Sequence, residues 1–161
     1  MEVTSTQKEN LELIQLVSFK VGKEEFGVDI LKVQEINRML KITKVPNSPD
    51  FVEGVVNLRG RIIPVIDLRK RLSIENKIHD AKTRIVVVDI AGNIVGFIVD
   101  EVNEVLRISK DILENPPELV AQVDSDFITS VAKLEDRIII LLDLDALLLK
   151  NEKEILEEIS N

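Results

Sequence analysis

The sequence contains no cysteine, no tryptophan, no tyrosine and a single histidine among its 161 residues. Without cysteine it can form neither disulfides nor thiolate metal sites, which fits a reducing compartment, and one histidine excludes the usual zinc ligand sets. No apolar run approaches the roughly 18 residues needed to span a bilayer, and the polar segment 1–10 does not resemble a secretory signal. The longest apolar run, 138–142, instead predicts a buried strand.

The charge balance is acidic, with 21 Lys and Arg against 29 Asp and Glu and a net charge of −8. An acidic surface repels the phosphate backbone, and an aromatic content of 3%, all phenylalanine, leaves few rings to stack on bases. Nucleic acid is therefore disfavoured as a partner. The hydrophobic content of 45% is enough for one domain or two small lobes that share a core.

Short apolar stretches, many with alternating polar residues, dominate the chain and predict a mainly β protein. Helices look minor until the end, where Asp145 can cap an amphipathic helix that we expect over 145–161. The predicted strands are 11–21, 26–30, 33–36, 62–68, 85–90, 95–99, 102–106 and 137–144.

The most informative feature is an internal repeat. Residues 55–72 (VVNLRGRIIPVIDLRKRL) match residues 131–148 (VAKLEDRIIILLDLDALL) without a gap, sharing Val, Leu, Arg, Ile-Ile, Asp-Leu and a final Leu. Upstream, 24–36 (EEFGVDILKVQEI) resembles 93–105 (NIVGFIVDEVNEV). Because the matching blocks keep the same order, we interpret the chain as a duplicated unit of strands and turns.

The duplication predicts two similar lobes, about 11–78 and 80–148, after a flexible tail at 1–10. Several short strands can close into a small barrel and so remove exposed edges, and strands can be exchanged between the lobes. Lobes this small bury little surface alone, so a shared apolar interface is expected. The polar stretch 73–82 separates the two lobes.

Residues that could carry catalysis are few and have simpler interpretations. His79 could shuttle protons, but it lies in the polar stretch between the lobes without a nucleophile at a recognisable spacing. No glycine-rich phosphate loop is present, and the acidic clusters lack the pattern of a calcium loop, so we interpret them as capping or solvated groups. The acidic clusters are Asp100-Glu101 with Glu104, Asp124 with Asp126, and Asp143 with Asp145.

A turn that differs between the two repeats indicates either a surface used for contact or ordinary drift between the two copies. Residues 57–61 (NLRGR) form a turn signal between two apolar strands, and Gly60 can adopt a positive φ there. In the second repeat Glu135 stands in place of Arg59, so the charge of the turn tip is reversed. Pro64 has no counterpart in the second repeat, and because it lacks an N–H we expect it on an edge strand or at a bulge.

At these residues the chain resembles the CheW family of chemotaxis coupling proteins. Residues 54–69 resemble the family's G-x-x-N-L-R-G-x-x-x-P-x-x-D-L-R motif throughout, and residues 29–36 resemble its V-x-E-I strand. Residues 96–102 resemble the G-x-x-V-D-x-V strand pair, and the likeness continues to the leucine-rich stretch 141–149. It covers about residues 12–150.

The resemblance implies a fold of two five-stranded SH3-like β-barrels packed on a common hydrophobic core. It also implies a cytoplasmic adaptor, without catalysis or cofactor, that is recruited to membrane receptor arrays. There it would couple the tips of chemoreceptors to the regulatory domain of the histidine kinase CheA. A CheW-like scaffold for another chemosensory kinase pathway remains an alternative. A barrel hydrolase using an acidic pair, or an oligonucleotide-binding barrel, fits the sequence less well.

The resemblance also implies two sets of contact residues, in which Arg59 and Glu35 are paired charges of the receptor-facing groove. The receptor-facing residues are Val33, Glu35, Ile36, Leu58, Arg59, Ile62 and Val105. The kinase-facing residues are Asp50, Phe51 and Gly54 on one side, and Glu114 and Leu119 on the other.

Overall fold

The computed structural model of the protein describes residues 12–75, 78–115 and 127–147. These residues form mainly β-strands, with one short helix, α1 (Leu68–Arg71), in the middle of the chain. Two single-turn 3-10 helices follow strands at Ile30–Lys32 and Lys110–Ile112. The strands are β1 (Leu13–Val21), β2 (Glu24–Asp29), β3 (Val33–Arg38), β4 (Val52–Leu58), β5 (Arg61–Asp67), β6 (Arg84–Ile90), β7 (Asn93–Val99), β8 (Glu101–Ser109), β9 (Leu113–Glu114), β10 (Ile128–Lys133) and β11 (Ile138–Leu142).

The strands form two sheets, which confirms the predicted mainly β fold. The six-stranded sheet has the order β8-β1-β2-β11-β10-β9, and the five-stranded sheet has the order β3-β6-β7-β5-β4. Neighbouring strands are antiparallel except for two parallel pairs, β2 with β11 and β5 with β7. The predicted terminal helix at 145–161 begins in a turn at its first three residues, and 148–161 lie outside the described residues.

Each sheet combines strands from early and late parts of the chain. Strands β1 and β2 join β8 to β11, whereas β6 and β7 join β3 to β5. The two sheets also have β-bulges at matching places. The edge strands β3 and β8 each have one unpaired residue, Gln34 and Asn103. Strands β4 and β10 also have one each, Glu53 and Thr129. The bulges therefore fall at matching positions of the two repeats, and each sheet takes its first two strands in repeat order from the other half of the chain.

The hydrophobic core has three parts. The largest cluster contains Phe19 and Phe26 from the six-stranded sheet and Ile66 and Phe97 from the five-stranded sheet, so it joins the two sheets. A second cluster around Ile63 lies within the five-stranded sheet, and a third cluster lies within the six-stranded sheet. A common core between two sheets is what the small size of each repeat required.

Pro64 does not lie on an edge strand, because β5 sits between β7 and β4. The reason is local. Val55, its partner on β4, exchanges both backbone hydrogen bonds with Thr43 on its other side, so Val55 and Pro64 form a non-hydrogen-bonded pair. The pairing of β5 with β7 begins only at Val65. The missing N–H of Pro64 therefore removes no bond from the β4–β5 ladder.

Charged side chains connect the repeats around α1. Asp67 caps this helix by accepting a hydrogen bond from the backbone N of Arg69, 2.9 Å away. The Nε of Arg69 donates to Asp100, 2.7 Å away, and Asp100 also accepts from the backbone N of Gly22. The guanidinium of Arg71 lies 5.3 Å from the ring centre of Phe127. The helix therefore ties the end of β5 to turns of the other sheet.

Candidate protein-binding site

The turn between β4 and β5 holds Arg59 in an unusual conformation. Arg59 has φ 52° and Gly60 has φ 87°, and the side chain of Asn57 accepts a hydrogen bond from the backbone N of Gly60 at 2.8 Å. Two successive positive φ values are typical of the tight hairpin turns that suit twisted strands. Asn or Gly fills such positions with less strain than Arg. The side chain of Arg59 therefore occupies a place that folding alone would give to a smaller residue.

Arg59 forms an ion pair with Glu35 on β3, as predicted. Its Nη2 lies 2.8 Å from Oε1 and 2.7 Å from Oε2 of Glu35, and Asn37 donates to the same carboxylate. These hydrogen bonds, that from Arg59 foremost, hold the pKa of Glu35 below its ordinary value. Arg59 is 72% exposed and Glu35 is 25% exposed. An exposed pair of this kind contributes little stability, so its main effect is to orient the two charges.

A cavity of about 320 Å³ lies beside this ion pair, on one face of the five-stranded sheet. Its floor is apolar and its mouth is charged. The lining residues come from β3, β4, β5, β6, β7 and the turn, so every strand of the five-stranded sheet contributes to it. The lining residues are Gln34, Glu35, Leu58, Arg59, Arg61, Ile63, Val87 and Ile94.

Three of the seven predicted receptor-facing residues line the cavity, namely Glu35, Leu58 and Arg59. Ile36 and Ile62 do not line it: they are exposed, at 39% and 45%, on the opposite face of the sheet, because each follows a cavity-lining residue, Glu35 or Arg61, by one position along its strand. The other two predicted residues do not line the cavity, since Val33 packs against the largest core cluster and Val105 lies on β8 of the other sheet. Val105 is nevertheless 53% exposed, so it is available at the surface.

Sequence reasoning missed five members of this site, namely Gln34, Arg61, Ile63, Val87 and Ile94. Gln34 precedes the predicted Glu35, Arg61 and Ile63 lie on β5 just beyond the turn, and the other two come from β6 and β7. The alternation of side chains along each strand narrows the choice of face. It does not identify which distant strands are neighbours, so the cavity could not be assembled from the sequence.

The same region of the six-stranded sheet holds a network of polar side chains instead of a cavity. Ser18 donates to Glu25, and both side chains are buried. The Nε of Arg137 lies 2.9 Å from Glu25, and its Nη2 lies 3.3 Å from Glu104. Asn103 contacts Ser18 at 3.5 Å. These side chains come from four neighbouring strands or their ends, and Arg137 is bound by acids on two sides.

The predicted kinase-facing residues fall into two separate places. Asp50 is exposed and Phe51 packs against the largest core cluster, just before β4 at one edge of the five-stranded sheet. Glu114 is exposed on β9, at one edge of the six-stranded sheet. Leu119 lies outside the described residues.

Gly54 is buried, and the backbone of the segment before β4 covers it. A Cβ at this position would clash with the carbonyl oxygen of Thr43 and lie 2.7 Å from a methyl carbon of Ile42. Its φ of 154° also lies where side chains are unfavourable. The structure therefore explains Gly54 by close backbone packing.

Several of the residues considered for catalysis have structural partners, and Asp124 and Asp126 lie outside the described residues. His79 lies 3.9 Å from Asp67, whose pKa is raised by burial. Asp100 is paired with Arg69, and Asp143 accepts hydrogen bonds from the turn that follows it. Across the described residues, no group of three or more His, Asp or Glu side chains is arranged to hold a metal ion. Nor does any helix of these segments have the length and apolarity to cross a membrane.

Comparison with known proteins points to one family. The family model for the CheW-like domain matches residues 15–152. The chain is 35% identical to "Chemotaxis protein CheW" of Klebsiella aerogenes over 146 residues, covering 91% of this chain and 88% of the relative. It is 37% identical to the protein of that name from Bacillus subtilis over 142 residues, covering 87% and 90%.

A solved structure gives the same result. The crystal structure of the scaffolding protein TtCheW from Thermoanaerobacter tengcongensis matches with a TM-score of 0.81 and 41% identity. The match covers 89% of this chain and 97% of that chain. Because the family model spans most of the sequence and these relatives are covered over nearly their full length, the chain belongs to the CheW-like family.

Proposed function

We propose that the chain is a non-catalytic scaffold of bacterial chemotaxis, which couples the cytoplasmic tips of chemoreceptors to the regulatory domain of the histidine kinase CheA. Membership of the CheW-like family supports this role. The observation that carries the proposal is the Arg59–Glu35 pair, held by a strained turn at the mouth of a cavity. Backbone strain at an exposed side chain is typical of residues kept for function.

The receptor-facing surface combines oriented charges with exposed apolar side chains. Arg59 and Glu35 fix each other at its centre, while Ile36 and Ile62 present apolar surface on the same sheet. An amphipathic receptor helix would bury such apolar side chains and be aligned by the charges. Val33, Leu58 and Val105 complete the proposed set.

The kinase-facing contacts would use the two opposite sheets. Asp50 and Phe51 are proposed to contact one lobe of the kinase domain, and Glu114 with the segment that contains Leu119 would contact another. Edge strands β4 and β9 lie beside these residues, which supports two separate contacts. Gly54 would contribute indirectly, because its small size lets the preceding segment pack closely on β4.

The finer architecture proposed is two SH3-like barrels. In a flat sheet, strands three places apart would be separated by about 14 Å. Arg137, just before β11, nevertheless reaches Glu104 on β8 at 3.3 Å, although β1 and β2 lie between these strands. This strong curl supports a barrel-like lobe. The proposed site of action is the cytoplasm, at membrane receptor arrays.

The test of this function is the capture of both partners from purified components. The full chain should retain a soluble chemoreceptor tip fragment and the CheA regulatory domain of the same organism together. Arg59→Asp should lose the receptor fragment and keep the kinase domain, because reversing this charge leaves Glu35 facing another acid. Circular dichroism should show unchanged folding, since Arg59 is mostly exposed.

Glu135→Arg provides the matched control, because Glu135 occupies the equivalent turn in the other repeat. This variant should retain both partners. Receptor capture by Arg59→Asp equal to that of the wild type would contradict the proposed site. Failure of the wild type to capture any CheA domain, while capturing a different histidine kinase, would point to another chemosensory pathway.

A further inference from the structure

The cavity in the five-stranded sheet and the polar network in the six-stranded sheet occupy equivalent positions. Val87 lies on β6 between Glu35 and Gly96, and Ser18 lies on β1 between Glu104 and Gly27. Val87 and Ser18 therefore occupy equivalent positions in the registers of the two sheets. Ile94 and Glu25 correspond in the same way, each two residues before the glycine of its strand.

Arginines occur at the same place in both repeats but have different surroundings. Arg137 lies near the carboxylates of Glu25, Glu104 and Asp136. Arg61, its equivalent, lines the cavity and faces Val87 and Ile94 there. Among the residues that the structure describes, no acidic side chain forms an ion pair with Arg61. The five-stranded sheet thus keeps the cation and lacks the internal carboxylate.

We propose that Arg61 is a specificity-determining residue of the receptor site, and that the partner supplies a carboxylate that enters the cavity as Glu25 does in the other sheet. This inference rests on the proposed function and names the chemistry of the receptor helix. The helix carries an Asp or Glu at the position that meets the cavity mouth, beside Arg59 and Arg61.

The charges at the cavity mouth favour an acidic partner group. Glu35 is already paired with Arg59, which leaves the charge of Arg61 in excess at the mouth. The floor is formed by Ile63, Val87 and other apolar side chains, so an ion pair there is less screened than at an open surface. The whole chain carries a net charge of −8 and therefore repels acidic molecules in general. The local excess of positive charge at the cavity mouth attracts an acidic group at this one place.

The first experiment measures binding of a soluble chemoreceptor tip fragment to the full-length chain by calorimetry. Arg61→Glu should raise Kd about tenfold, as expected for reversal of one interfacial charge. Each exposed Asp or Glu of the fragment is then changed to Lys in turn. One such change should restore binding to Arg61→Glu and weaken binding to the wild type. An unchanged Kd for Arg61→Glu, or no restoring change, would overturn the inference.

The second experiment places a carboxylate of the chain itself in the cavity. Ile94→Glu places a carboxylate where Glu25 lies in the other sheet, so it should pair with Arg61 and raise Kd about tenfold. Ile94→Gln is the matched control of similar size and no charge, and it should raise Kd less than threefold. Equal effects of the two variants would show that shape alone matters, and would overturn the proposal.

Binding of the receptor fragment and of the CheA domain separates the proposed receptor function from the role of Arg61. If the wild-type chain binds no receptor fragment while binding the CheA domain, the proposed receptor function is wrong. If the wild type binds and Arg61→Glu binds equally, only the role of Arg61 is wrong. Retained binding of the CheA domain by every variant shows that each is folded.

Discussion

The two sheets place equivalent positions around one end of a sheet face, but the five-stranded sheet leaves this end open and the six-stranded sheet fills it with polar side chains. In the six-stranded sheet, buried Ser18 and Glu25 hold Arg137 inward. In the five-stranded sheet, Val87 and Ile94 take the equivalent positions and a cavity of about 320 Å³ remains. At two equivalent positions the six-stranded sheet has polar residues and the five-stranded sheet has apolar ones. The first sheet fills this end with its own side chains, and the second leaves space for a partner.

The largest expected effect on stability comes from removing the charge of Arg137 in the six-stranded sheet. Arg137→Met leaves the buried carboxylate of Glu25 without its charged partner and should lower the free energy of unfolding by about 2 to 3 kcal/mol. Arg61→Met, the equivalent change in the open face, should lower it by no more than about 0.5 kcal/mol. Urea denaturation of both variants measures the difference. Equal losses would mean that the two faces do not differ as described.

A second comparison concerns the bulges of β4 and β10. Gly54→Ala should destabilise by about 2 kcal/mol, because the new Cβ meets the carbonyl of Thr43 and the backbone has a positive φ. Ser130 pairs with Leu141 as Gly54 pairs with Val65, yet it carries a side chain. Ser130→Ala should change stability by less than about 0.5 kcal/mol. Thermal unfolding of both variants tests this, and a stable Gly54→Ala would contradict close packing at β4.

The smallest effect is expected at the ends of β5 and β11. Burial raises the pKa of Asp67, so the folded state holds this proton more tightly than the unfolded state. The ionised carboxylate therefore costs stability above the raised pKa, and this cost disappears as the pH falls below the unfolded value. Asp67→Asn keeps the cap acceptor and should gain about 0.5 kcal/mol at pH 7.

This gain should vanish in acid, where the wild-type carboxyl is protonated too. The equivalent variant Asp143→Asn should change stability by less than about 0.5 kcal/mol at pH 7, because Asn can accept the same backbone hydrogen bonds. Urea unfolding between pH 4 and 7 measures both variants. A loss of stability in Asp67→Asn at pH 7 would mean that pairing with His79 and Lys70 outweighs burial.

Much of the fold could be predicted, because apolar and polar residues alternate along many of the strands and the internal repeat can be recognised from sequence identity. The pairing of strands could not, since alternation shows which side chains share a face and not which strands are neighbours. The prediction of an edge strand for Pro64 was wrong for this reason. Its strand β5 is central, and its partner Val55 forms its backbone hydrogen bonds with Thr43 on the other side. The terminal helix stays a prediction beyond Leu147.

The candidate site was predicted in part. The Arg59–Glu35 pair could be expected from the family resemblance, and the structure confirms it. The buried pair of Ser18 and Glu25 could not, because a Ser and a Glu in alternating strands are typical of a solvent face. Only the curl of the sheet, which brings Arg137 over them, makes their burial favourable.

The exchange of strands between the repeats has a consequence for how such a chain can arise and be divided. Neither half of the protein contains all the strands of either sheet, so a fragment ending near residue 78 would lack β6, the neighbour of β3, and β7, one of the two neighbours of β5. A gene encoding only one repeat could complete its sheets by trading the β1–β2 hairpin with a second molecule. Two halves expressed from separate genes should therefore reassemble into one body, whereas neither half can complete a sheet within a single molecule.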